Sequence, residues 1–143
     1  MSTQPDYLAA FQGYLQGVSD VSSAVGTRVF VSEIPNSEEV NMPRACAVLA
    51  MGGGGLLLNA GSYLPVGDRR LDVRCYGRTP YEAWQVYAAV HNALKFMTRT
   101  TVGGATLFWA TLDAAEQSLR DPDVHWPFIF SSWQVLVADL PTS

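Results

Sequence analysis

With 143 residues, 48% of them hydrophobic and 15% charged, the chain is long enough to bury one core and has the apolar area to offset its conformational entropy, which excludes a disordered protein. Nine lysines and arginines against thirteen aspartates and glutamates leave a net charge of −4, the wrong sign for a protein whose main task is gripping phosphates. No apolar run approaches the ~20 residues that span a bilayer, and two cysteines are too few for a disulfide framework, so we expect one soluble, intracellular, reduced domain over 1–143 with no membrane partner.

Pro5 suits a first helical turn, and Leu8, Phe11, Leu15 and Val18 recur on one stripe, which predicts a helix from about Pro5 to Gln16. Ser19 and Asp20 open a short helical turn to Val25 that Gly26 ends. Arg28–Val31, β-branched and aromatic, predicts the first strand, and the polar, proline-containing stretch Glu33–Pro43 predicts a loop. Arg44–Met51 is apolar at almost every position, as a strand covered on both faces would be. Gly52–Gly67 then predicts a protruding hairpin, and Arg69–Tyr76 a strand with Leu71, Val73 and Cys75 toward the core and Arg70, Asp72 and Arg74 away from it.

Thr79, Pro80 and Glu82 place a capping hydroxyl, a first-turn proline and a glutamate at the spacing of a capping box. The helix they open runs to about Met97, with Val86, Val90, Leu94 and Met97 on one stripe flanked by Ala83, Tyr87 and Ala93. Gly103 and Gly104 break the chain before a strand at Ala105–Leu112. Asp113–Trp126 is polar and holds the turn signal Asp121-Pro122-Asp123. Phe128–Ala138 alternates Ile129, Ser131, Trp133, Val135 and Val137 against Phe128, Phe130 and Leu136, and closes the sheet. The fold expected is α+β: an antiparallel sheet of about five strands, two main helices on one face and a protruding glycine-rich hairpin.

Little in the chain points to chemistry. Gly52, Gly53, Gly54 and Gly55 are followed by Leu56, Leu57 and Leu58 rather than by Lys and Ser or Thr, so neither a P-loop nor a dinucleotide fingerprint is present. His91 and His125 lack metal-ligand spacing, and Cys46 and Cys75 sit on apolar strands with no basic neighbour on their own face. Asp113, Glu116, Asp121 and Asp123 lack the glycine and terminal glutamate of a calcium loop and predict a solvated hairpin end. No catalytic residue, cofactor or metal is assigned, and the chain is not expected to be an enzyme. Leu56, Leu57, Leu58, Tyr63 and Leu64 are left without a place in the core, which marks the hairpin as a surface that docks on another subunit. Arg70 and Arg74, with Asp72 between them, suit ion pairing across a protein interface rather than a phosphate track.

Three phrases, Ser19 to Phe30, Arg70 to Ala83 and Asp121 to Pro127, in this element order, resemble the tail terminator or tail-completion proteins of long-tailed bacteriophages, and the likeness covers almost the whole chain. The resemblance implies a virion protein of the tail and neck, present in the host cytoplasm during assembly. It implies a homo-oligomer, a hexameric ring, that caps the head-proximal end of the tail tube and stops its growth. Its partners would be the major tail tube protein and the head-tail connector proteins, with DNA only passing through the channel. On this reading Gly52 to Leu58, Tyr63, Leu64, Arg70, Asp72 and Arg74 contact the neighbouring subunit or the tube, and a net acidic chain avoids holding the genome as it leaves. Two other readings stand beside it: a head-tail connector or head-completion protein of the neck, and a small enzyme or ligand-binding domain with a pocket between the long helix and the sheet, using Tyr76, His91 or Trp133.

Overall fold

Leu8, Phe11 and Leu15 fall on one helical stripe, and that stripe forms the buried side of helix α1 (Tyr7–Gln16) in a computed structural model of the chain that describes residues 7–51, 66–102 and 105–138. The predicted start at Pro5 lies outside the described residues. Helix α2 (Ser19–Val25) buries Val21 and Val25 and stops at Gly26, whose φ of 63° is the left-handed conformation that glycine enters without a Cβ clash. Strand β1 (Val29–Val31) follows. The expected loop after it contains one turn of helix, α3 (Asn36–Glu39), which buries nothing and therefore left no apolar stripe to read.

Strand β2 (Cys46–Met51) is covered on both faces as its composition required: Ala47 and Leu49 join the main core, and Cys46 and Val48 a second one. Strand β3 (Val66–Tyr76) returns antiparallel to it, and the Gly52–Leu64 segment predicted as a docking hairpin lies outside the described residues. Helix α4 (Pro80–Lys95) begins as the capping box dictates. Thr79 Oγ1 accepts from the Glu82 N–H at 3.1 Å, while Glu82 Oε1 accepts from the Arg78 N–H at 2.9 Å, one residue outside the cap. Gly77 makes this corner possible, because a Cβ there would collide with the backbone of Ala83 and Glu82.

Strands β4 (Thr100–Val102), β5 (Ala105–Arg120) and β6 (Pro127–Ala138) complete one six-stranded sheet in the order β1-β2-β3-β6-β5-β4. The α+β class holds; the sheet has six strands where about five are expected, β4 being the addition, and two further differences stand out. First, β1 lies parallel to β2, which requires a crossover of about a dozen residues, and Ser32–Ala45 supplies it. Second, β5 runs eight residues past the predicted Leu112 to Arg120, at the expense of the expected polar connection. Its second half is exposed and carries no core alternation; pairing with β6, from Ala114 opposite Ser132 to Arg120 opposite Pro127, makes it a strand, with bulges at each break in register.

Helices α1, α2 and α4 all pack on one face of the sheet. The register sets Leu71 opposite Trp133, Val73 opposite Ser131 and Cys75 opposite Ile129, so the core residues of the two central strands meet as cross-strand pairs. Ser131, the polar residue in this layer, is satisfied by the Trp133 indole, whose Nε1–H donates to its Oγ at 3.0 Å. Tyr14 ties α1 to the end of α4 by donating to the Ala93 carbonyl at 2.8 Å.

Candidate functional site

The face of the sheet turned away from the helices carries two of its own layers. At one end, Cys46, Val48 and Tyr76 are buried under Phe30, Ile34, Met42, Trp126 and Phe128, with Tyr76 against the Phe128 ring at a centroid distance of 5.3 Å and edge-on to Trp126 at 6.3 Å. Toward the middle this gives way to polar pairing. Arg70 donates from Nε to Ser132 Oγ at 2.8 Å and lies 3.1 Å from Asp113 Oδ2, while the Ser132 hydroxyl donates to Asp72 Oδ1 at 2.8 Å. The predicted Arg70 and Asp72 thus join one network across β3, β6 and β5 within the subunit. Arg74, two residues on, lies beside the Tyr76 hydroxyl, whose pKa is raised by burial and lowered in part by that guanidinium.

No catalytic constellation emerges from the residues singled out for chemistry. Cys75 faces the helices and Cys46 the opposite cluster, both buried, and burial pushes the Cys46 thiol up to about 12. The expectation that Cys46 has no basic neighbour is corrected: Arg28 and Arg44 both act to lower its pKa, and desolvation outweighs them. His91 sits between Tyr87 and Trp133 in tilted ring contacts at centroid distances of 5.5 and 5.4 Å. Tyr76 lies on the other face of the sheet, so it cannot share a pocket with His91 and Trp133.

The acidic stretch is dispersed in the same way. Asp113 pairs with Arg70, Glu116 Oε2 accepts from the Tyr87 hydroxyl at 3.4 Å, and Asp121 Oδ1 fixes the β5–β6 turn by accepting from the N–H groups of Asp123 and Val124. Tyr87 responds to burial first and then to the Glu116 carboxylate, and its pKa rises from 10.0 to about 12. Among the described residues no group of three or more His, Cys, Asp or Glu is placed to hold a metal ion, and no helix is long and apolar enough to cross a membrane.

What the surface does offer is contact area. Tyr81, Trp84 and Phe96 stand exposed at α4, Phe96 at 71%, and Trp109 and Leu119 are exposed along β5. Strand β4 pairs only with Ala105–Leu107, so beyond Leu107 no strand lies beside the outer edge of β5 among the described residues. Bulges, Asp113 and Glu116 blunt this edge, as long free edges in stable proteins are blunted.

This architecture has counterparts among solved structures. A chain in the virion of the native gene transfer agent particle superposes with a TM-score of 0.68 at 15% identity, over 92% of this chain and 93% of that one. The bacteriophage SPP1 gp17 protein matches at a TM-score of 0.55 and 16% identity, over 95% and 91% of the two chains. The fold is shared over more than nine tenths of each chain. No protein-family model matches the chain, and no curated protein matches it at a significant level.

With that shared fold as the frame, the sheet end nearest the β5–β6 turn holds two features that sequence reading missed. Arg28, Arg44 and Arg78, which flank β1, β2 and β3, line a cavity of about 310 Å³ together with Asn41. Beyond the Asn36–Arg44 segment, Glu39, Asp121 and Asp123 line a second cavity of about 480 Å³. Neither set shows as a motif, because the three arginines lie 16 to 50 residues apart in the first case and the carboxylates sit on α3 and on the β5–β6 turn in the second, and only the sheet order brings them together.

Proposed function

We propose that this chain is a structural virion protein of a long-tailed phage or phage-like particle that forms a ring at the head-proximal end of the tail tube, ends tube growth and offers the surface that joins the connector. The observation that carries this reading is the correspondence of fold, over more than nine tenths of both chains, with a chain of the gene transfer agent virion. The exposed Tyr81, Trp84, Phe96 and Trp109 and the open edge of β5 support a subunit that completes its surface against other chains. The ring would be hexameric, with the major tail tube protein below and head-tail connector proteins above, and the net charge of −4 would keep DNA moving through its channel. Arg74 and the partly exposed network of Arg70, Asp72 and Asp113 are proposed to face the tube or a neighbouring subunit, together with the Gly52–Leu64 segment.

Electron microscopy of tails assembled with and without the protein tests this role. Omission is expected to give tails of irregular, extended length that fail to join heads, and tails of normal length that still join heads would rule the role out. Purified tails that lack the protein until they meet heads would favour the head-completion reading.

A further inference from the structure

The arginine cavity is open and rich in donors. Arg28 donates from Nε to the Ala45 carbonyl at 2.8 Å and lines the cavity. Among the described residues Arg44 lies 3.6 Å from Glu38 and Arg78 3.4 Å from Glu82, and the Arg78 side chain is 71% exposed. No carboxylate lines the cavity itself. On the other side of the Asn36–Arg44 segment the pattern reverses: Glu39, Asp121 and Asp123 line the groove, none of them takes part in an ion pair among the described residues, and no cationic side chain lines it. Asp121 is held in place by its turn, and the apolar rim is conspicuous, with Val40 at 83% and Val124 at 46% exposure.

Resting on the ring reading above, we infer that the arginine cavity of one copy receives the Glu39/Asp123 rim of the next, with Val40 and Val124 buried at the contact. The occupant is a second copy of this chain because the two surfaces complement each other in charge: three guanidiniums on one and three carboxylates on the other. The contact is taken head to tail, the cavity of each copy on the rim of the next, and a heterologous contact of this kind repeats from copy to copy until it closes, whereas reciprocal pairing of the same two patches would stop at a dimer. Arginine suits the positive side, since a planar fork can engage a carboxylate through two hydrogen bonds. Charge pairing of this kind sets register and partner choice, and the two valines add the apolar area that makes the contact last.

Charge reversal tests the contact on the full chain. Glu39→Arg with Asp123→Arg reverses one side, and Arg44→Glu with Arg78→Glu reverses the other, each variant first shown by circular dichroism and thermal melting to fold as the wild type does. In sedimentation velocity each variant alone is expected to raise the concentration for half-assembly about tenfold or more, and an equimolar mixture is expected to restore assemblies larger than a dimer, because reversed sides complement each other. Variants that assemble like the wild type, a mixture that stays dissociated, assembly that stops at a dimer, or a wild-type chain that remains monomeric at high concentration would each overturn the contact. Failure of the virion role is read separately: tails unaffected by omission of the protein remove that role and leave the self-contact standing.

Discussion

On the helix side of the sheet Trp133, Leu71, Val73 and Leu94 are almost completely buried, and the only polar member of the central layer, Ser131, is bonded to a ring of that same layer. On the far side of the same strands, Arg70, Asp72 and Asp113 keep partial contact with solvent and pair with one another, in part through the buried Ser132 hydroxyl. The same alternation of β3 and β6 produces both faces, one closed under the helices and the other carrying paired polar groups beside a smaller apolar cluster. Burial of apolar side chains stabilises by roughly 25 cal/mol per Å², whereas an ion pair at a partly exposed site is worth at most about 1 kcal/mol. The helix face, with the larger buried cluster, therefore contributes more to holding the subunit together than the polar network does.

The contrast breaks first at Trp133. Replacing it with alanine should cost about 3–5 kcal/mol, because the His91 ring and the facing Leu71 cannot fill the space left behind. Chemical denaturation of the variant checks this, and a loss under 1 kcal/mol would show that α4 re-seats on the sheet. Next comes Gly77→Ala, where the added methyl runs into the backbone at the start of α4; a loss of about 1–3 kcal/mol is expected in the same measurement. Thr79→Ala removes the acceptor of the Glu82 N–H and should cost about 1 kcal/mol. Arg70→Ala on the far face should lower stability by less than about 1 kcal/mol while altering tail length in assembled particles, the reverse of the Trp133 result.

A pH titration adds a direction. Tyr87 has a folded pKa of about 12 against 10.0 for the free side chain, so its contribution is fully present below pH 10 and declines as pH rises from 10 toward 12, where only the unfolded chain ionises readily. Melting temperature measured across that interval should fall, and the Tyr87→Phe variant should show a shallower fall.

Legibility in the sequence followed burial closely. The capping box at Thr79, the two-sided apolar run of β2 and the alternation of Leu71, Val73 and Cys75 each encode a local preference and a core contact that agree, and each was realised as read. The second half of β5 could not be read this way. Glu116, Gln117, Ser118 and Leu119 are all exposed and follow no period, so their extended form depends on the pairing of β5 with β6. The three residues of β4 give too short a pattern to register. The surface with the most open charge was equally silent. Arg28 and Arg44 are unremarkable where they stand in the chain, and Arg78 stands near Arg70 and Arg74 in sequence but lines a different surface, while Arg70 and Arg74 prove to be occupied at least in part by Ser132, Asp113 and Tyr76.

The chain by itself determined the capping-box start of α4, the stop of α2 at Gly26, which residues of β2, β3, α4 and β6 turn inward, and that its cysteines are buried, because each of these follows from neighbours within a few positions and from the aversion of apolar side chains to water. The tertiary structure alone decided that β1 lies parallel to β2, that β5 extends to Arg120, and that three arginines line one cavity and three carboxylates another. Those outcomes rest on pairings between residues far apart in sequence, and the order in which strands lie side by side is a property of the closed sheet rather than of any segment within it.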